Sequence, residues 1–193
     1  MRKQWIGLAA IILWCLYAPP AGSLSIEGAR FHALSLASVA QTYTTPDALA
    51  RFLRHAFTFK TDEELFGAAD YWQTPEEFFT RRAGDCEDYA LFAQAILARQ
   101  GVEAYVFSLF GSDGYAHTVC VFVESGSYNV IDQDRVRYYR AKTLEALAWQ
   151  MYEGWMYGAI AKSVGHRGML ATLVSNPHPR PTASRWDRAS NFP

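Results

Sequence analysis

The hydrophobic pattern of this chain changes period along its length, helical in the first half and strand-like in the second. Leu49, Phe52, Leu53, Ala56 and Phe57 stand at i, i+3, i+4, i+7 and i+8, one face of a helix. Thr45 is a good N-cap for it, Pro46 suits the first helical position, and Asp47 complements the helix dipole. Thr61 with Glu64, and Thr74 with Glu77, are capping-box pairs, so two short helices follow. Leu65, Ala69 and Trp72 go with the first, Phe78 and Phe79 with the second. Gly84-Asp85-Cys86-Glu87-Asp88-Tyr89 opens another helix, which runs to about Gln100 and stops at Gly101.

After Gly101 the apolar positions become β-branched and aromatic. Strands are predicted over 102–110, 115–124 and 128–132, with turn chemistry at 111–114 and 124–127. An antiparallel meander is the economical arrangement. A last helix is predicted from Thr143 to about Trp155, with Leu144, Leu147, Ala148, Met151 and Trp155 facing inward. Helices first and antiparallel strands second predict an α+β domain over 23–175. Residues 23–44 read as an irregular lead-in, and 176–193 as a proline-rich, loosely ordered tail.

The remaining segment, 1–22, has the three parts of a secretory signal peptide. Arg2 and Lys3 form a positive head, 5–18 an apolar run, and Pro19-Pro20-Ala21-Gly22 a turn of small residues. The run falls short of the roughly 18 to 20 apolar residues that span a bilayer, so a cleaved leader is preferred to an anchor. Export to the periplasm or cell envelope is expected, with no stable membrane span after cleavage. The formal charge of the chain is −1; without 1–22, 16 basic side chains face 19 acidic ones, giving −3. No basic stripe exists for a phosphate backbone, which excludes nucleic acid as a partner.

Three residues carry candidate chemistry. Cys86 sits in the first turn of its helix, where unpaired N–H groups and the dipole favour thiolate. Asp85, Glu87 and Asp88 would oppose that, so their carboxylates are expected to cap the helix or bond to loops. The alternative for Cys86 is a buried structural thiol. His117 opens a strand beside a turn, where a base can reach a helix terminus; a hydrogen-bonded histidine at a sheet edge is the plainer reading. Period two puts His117 with Val119, Val121 and Val123, and Cys120 on the opposite face, which disfavours a Cys86–Cys120 disulfide. Asp132 ends the strand Tyr128-Asn129-Val130-Ile131-Asp132, where it can accept the second imidazole N–H. Asp134 is its nearby competitor.

Trp72-Gln73-Thr74-Pro75, Gly84-Asp85-Cys86-Glu87-Asp88-Tyr89-Ala90, Ala116-His117-Thr118-Val119 and Tyr128-Asn129-Val130-Ile131-Asp132 together resemble the transglutaminase-like superfamily, in particular the bacterial transglutaminase-like cysteine peptidases. The resemblance covers 46–133. It implies a papain- or transglutaminase-like core with a nucleophile helix packed on an antiparallel sheet. It also implies Cys86 as nucleophile, His117 as base, Asp132 as third member, and a protein or peptide substrate cleaved through a thioester. The oxyanion would be held by the Cys86 backbone N–H and a second donor, with Trp72 and Gln73 as candidates. Some relatives bind calcium through acids near the nucleophile, but no oxygen-rich loop is visible here, and neither metal nor cofactor is assigned. Two other readings keep the fold: a transglutaminase-type acyltransferase with an amine acceptor, and a non-catalytic binding or scaffold domain.

Overall fold

A computed structural model describes residues 35–163 and 169–176; the leader-like segment 1–22 and the tail beyond Asn176 lie outside the described residues. The first half is helical: α1 Leu36–Thr42, α2 Pro46–Ala56, α3 Asp62–Phe66, α4 Pro75–Arg81 and α5 Cys86–Arg99. Thr45 and Pro46 start α2 as the sequence requires, and both capping boxes form, at Thr61–Glu64 for α3 and Thr74–Glu77 for α4. The lead-in is not wholly irregular. Ser35 accepts from the Ser38 N–H and caps α1, which buries Leu36, Val39 and Ala40. Seven residues are too few for a period to stand out.

Phe52, Phe57, Phe78 and Phe92 meet between α2, α4 and α5, with Phe57 stacked on Phe78 at 4.5 Å and edge-on to Phe52 at 5.6 Å. Burying one such ring contributes up to about 3 kcal/mol. This aromatic knot holds α5 on its helical neighbours. Two residues on each side, β1 Thr58–Phe59 and β2 Ala83–Gly84, pair in parallel and lead directly into α5.

The sheet is larger than the meander. To β3 Ala104–Gly111, β4 Ala116–Glu124 and β5 Ser127–Asp132 it adds β6 Arg135–Ala141, β7 Trp155–Ser163 and β8 Met169–Ser175, in the order β6-β5-β4-β3-β7-β8. The predicted last helix is shorter, α6 Leu144–Met151. Trp155 is fully buried as expected, but it opens β7. It joins Phe107, Leu109, Val119, Val121, Val130, Leu147 and Ala148 in one core. The face of β4 that carries Val119 and Val121 therefore lies under α6. Helix α5 packs against β4, β3 and β5. The result is an α+β domain with α5, whose first residue is Cys86, laid on an antiparallel sheet.

Candidate active site

The sheet contributes an imidazole and a carboxylate. His117 is two residues before Val119, and Asp132 is two after Val130, so both point to the face shared by those valines. β4 and β5 are adjacent, Val121 opposite Val130 and Cys120 opposite Ile131. The side chains accordingly meet at the strand ends, with His117 Nε2 to Asp132 Oδ1 at 2.8 Å. With that nitrogen engaged as donor, Nδ1 carries the free lone pair. Burial works against the Asp132 charge, but the His117 bond and the Arg137 guanidinium outweigh it and hold the carboxyl below the ordinary aspartate range.

The helix contributes the thiol. Cys86 is the first residue of α5, half-buried, and the backbone N–H of Thr118, the residue after His117, favours its thiolate. Its second contact departs from expectation. The neighbouring acids were to point away, yet Glu87 turns its Oε2 to the Cys86 Sγ, at 3.2 Å. Burial, then the Glu87 charge, push the thiol well above its ordinary value; the Thr118 N–H pulls the other way without prevailing. The helix N-terminus does not by itself yield a thiolate. Cys120 is fully buried and free, so no disulfide joins the two.

Asp88 behaves as the sequence required. Its carboxylate accepts from the Gln73 backbone N–H at 2.8 Å, from Gln73 Nε2 at 2.5 Å and from the Asp85 N–H at 3.3 Å. Gly84 makes this possible, since a Cβ there would sit 2.1 Å from Asp88 Oδ2. Gln73 is fully buried; its Nε2 also donates to Ala83 O at 3.0 Å, and its Oε1 accepts from Arg81. Trp72 is buried and donates its indole N–H to Asp70 at 3.0 Å. The side-chain donors of both oxyanion candidates are thus engaged with neighbours other than Cys86.

Around Cys86 the fold gathers an acidic cluster from three segments. Asp62 at the start of α3, Asp70 in the following loop, Asp85 at the N-cap of α5, and Glu87 and Asp88 in its first turn bring carboxylate oxygens within 4.8 Å of one another in overlapping sets. Asp62 Oδ1 and Asp85 Oδ1 are buried without a hydrogen-bond partner. Burial first, then the Glu87 neighbour, push Asp85 up to about 9; burial pushes Asp88 up to about 7. An all-oxygen donor set with buried orphan lone pairs fits a hard divalent cation such as calcium. No single loop carries it, which is why the linear sequence does not display it.

Other residues of the site also escaped the sequence. Tyr115 lies 6.2 Å from the His117 ring and stacks on Tyr152 at 4.3 Å, walling the imidazole on the α6 side. Period two could have found Tyr115, two residues before His117. Arg137 reaches Asp132 Oδ2 at 3.4 Å. Finding it needed β6, a strand whose polar alternation, Arg135-Val136-Arg137-Tyr138, resembles a surface loop.

Residues 35–157, well over half of the chain, match the family described as transglutaminase-like domain, and the chain belongs to that family. A curated relative, a UPF0252 protein of Archaeoglobus fulgidus, is 32% identical over 71 residues, 36% of this chain; the chain spans only 23% of that protein's length. Among solved structures, Legionella pneumophila LapG is 24% identical over 53% of this chain and 60% of its own, with a TM-score of 0.41. A candidate cysteine protease from Cytophaga hutchinsonii is 14% identical over 83% and 61%, with a TM-score of 0.42. These likenesses are partial, and the family assignment rests on the sequence match.

Proposed function

We propose that this chain is an exported thiol hydrolase of amide bonds, with Cys86 as nucleophile, His117 as base and Asp132 as the carboxylate that orients it. The observation that carries this reading is the His117–Asp132 hydrogen bond of 2.8 Å at the start of β4, with the Cys86 thiol in the electrostatic range of the neighbouring Thr118 N–H.

The chemistry follows from those atoms. Asp132 accepts the Nε2 proton, which fixes the tautomer and stabilises the imidazolium. Nδ1 takes the thiol proton, the sulfur attacks the carbonyl carbon, and the C–N bond breaks as Nδ1–H protonates the leaving amine. Water, deprotonated by Nδ1, then attacks the thioester carbonyl; the C–S bond breaks, the acid is released, and Nδ1–H returns its proton to the Cys86 sulfur. The Cys86 backbone N–H, at the first position of α5 where a helix offers it no intrahelical partner, would donate to the developing oxyanion. Trp72 or Gln73 would join it only by releasing Asp70 or Asp88. Asp62, Asp70, Asp85, Glu87 and Asp88 would hold a calcium ion, whose charge would offset the carboxylates that now oppose the thiolate.

The test is a quenched fluorescent peptide library incubated with the full chain, with and without excess primary amine. Cleavage lost in Cys86→Ala supports the hydrolase. Amide exchange onto the amine in place of cleavage would assign the acyltransferase instead. No turnover together with an unreactive Cys86 would leave the scaffold reading.

A further inference from the structure

We propose that Arg137 is a positioning residue for the His117–Asp132 pair, a fourth member that holds the carboxylate from its far side. The inference rests on the hydrolase reading above, and deepens it.

It begins with register. Asp132 pairs directly with Arg135 across the β5–β6 hairpin, and its two-residue turn, Gln133-Asp134, has Gln133 at φ 51°. Direct pairing would nominate Arg135 as the partner of Asp132. Arg135 instead sends its Nε to Asp134, at 3.7 Å. Arg137, two residues on, shares the same face and sits diagonal to Asp132, within reach of a long side chain. Its Nε meets Asp132 Oδ2 at 3.4 Å, while Oδ1 takes His117 at 2.8 Å. The carboxylate therefore has one oxygen committed to the base and the other to a guanidinium.

Beyond Arg137 the strand carries two extra residues. Val130 pairs with Arg137 but Tyr128 with Ala141, and Arg140 takes φ 53° in the bulge between. The buried side chain of Asn129 accepts the Arg140 N–H at 3.0 Å and pins that irregularity. The bulge takes up the slack on the far side of Arg137, so the hairpin end keeps the register that aims Arg137 at Asp132.

Such a contact does two things. It stops the carboxylate from rotating away from Nε2, and its positive charge tempers the pull of Asp132 on the imidazolium. Titratable groups around the pair, among the described residues, include Cys86 from α5, Tyr115 just before β4, Tyr152 at the end of α6, and Arg137 and Tyr139 from β6. Arg137 supplies the fixed positive charge among them. Its side chain is 42% exposed, so the effect is moderate.

The experiment compares Arg137→Gln, Arg137→Lys and, as a remote ion-pair control, Arg99→Ala in the full chain. Two readouts are used: cleavage of the fluorescent peptide, and the His117 ring titration by NMR, which needs no substrate. Arg137→Gln should lower kcat by about tenfold with KM little changed, the scale of one charge-assisted hydrogen bond. It should also move the His117 titration to higher pH, because a nearby cation no longer opposes protonation. Arg137→Lys should restore the titration but only part of kcat, since it supplies charge without the planar fork. Arg99→Ala should change neither. An unmoved His117 titration in a folded Arg137→Gln protein would overturn the proposal, even if wild-type turnover is strong. Loss of wild-type turnover would overturn the hydrolase reading and leave the titration to judge Arg137.

Discussion

The two halves of the site are built on opposite electrostatic terms. On the sheet, His117, Asp132 and Arg137 alternate in charge preference and each polar contact is made. At the helix terminus, the thiol lies against Glu87 and beside Asp85, which in turn clusters with Asp62 and Asp88, and two buried carboxylate oxygens are left over. On the sheet half, both Asp132 oxygens are committed to cationic or donor partners. At the helix half, burial and the Glu87 carboxylate push the thiol above its ordinary value, so an offsetting positive charge would favour the thiolate. Geometry and electrostatic readiness are separate properties: the His117–Asp132–Arg137 contacts are made, while the hydrogen bond of the thiol goes to Glu87.

The largest effects should come from the reacting groups. Cys86→Ala and His117→Ala should each lower kcat by roughly 10⁴-fold or more in the peptide assay, and the double variant should be little worse than either. A double variant much worse than both would mean that the two halves do not act as one unit. Asp132→Asn should retain more activity than either single variant, with a loss of about 10² to 10⁴, because it orients the base and does not react. Its far-ultraviolet circular dichroism should match the wild type.

The helix half can be probed through stability. Between the ordinary aspartate value of 3.8 and about 9, the folded chain keeps a proton on Asp85 that the unfolded chain has released. Folded protein thus binds more protons, and stability should fall as pH rises through that window. Asp85→Asn, which keeps a good N-cap, should flatten the decline and raise stability at neutral pH by about 1 kcal/mol, a few degrees in Tm. Millimolar calcium should raise the wild-type Tm by scanning calorimetry, and raise that of Asp85→Asn less. An unchanged wild-type Tm would sink the cation fit.

The smallest effect tests the contrast between the two thiols. Cys120→Ala should cost about 1 kcal/mol for the small cavity it leaves in the sheet core, with peptide cleavage unchanged. A loss of activity would show that the far face of β4 is coupled to the site.

Much of this architecture was legible without coordinates, because it depends on local rules. Caps, helical periods and strand alternation are decided within a few residues, so α2, α3, α4, α5 and β3 to β5 could be placed, and period two put His117 and Asp132 where adjacent strands would join them. What remained hidden depends on partners distant in sequence. β6 and β7 owe their extended form to pairing with β5 and β3, not to strong apolar alternation, and Trp155 could be recognised as buried but not as belonging to a strand. The Glu87 contact with Cys86 turned on a rotamer, and Arg137 was chosen over Arg135 by the diagonal geometry of a hairpin. The acidic cluster exists only because α3, its following loop and α5 converge. The sequence by itself determined the elements and the identity of the candidate reacting groups, since those follow from short-range backbone chemistry. Only the tertiary structure decided their charge balance, because electrostatic energy depends on distance and burial in space and not on separation along the chain.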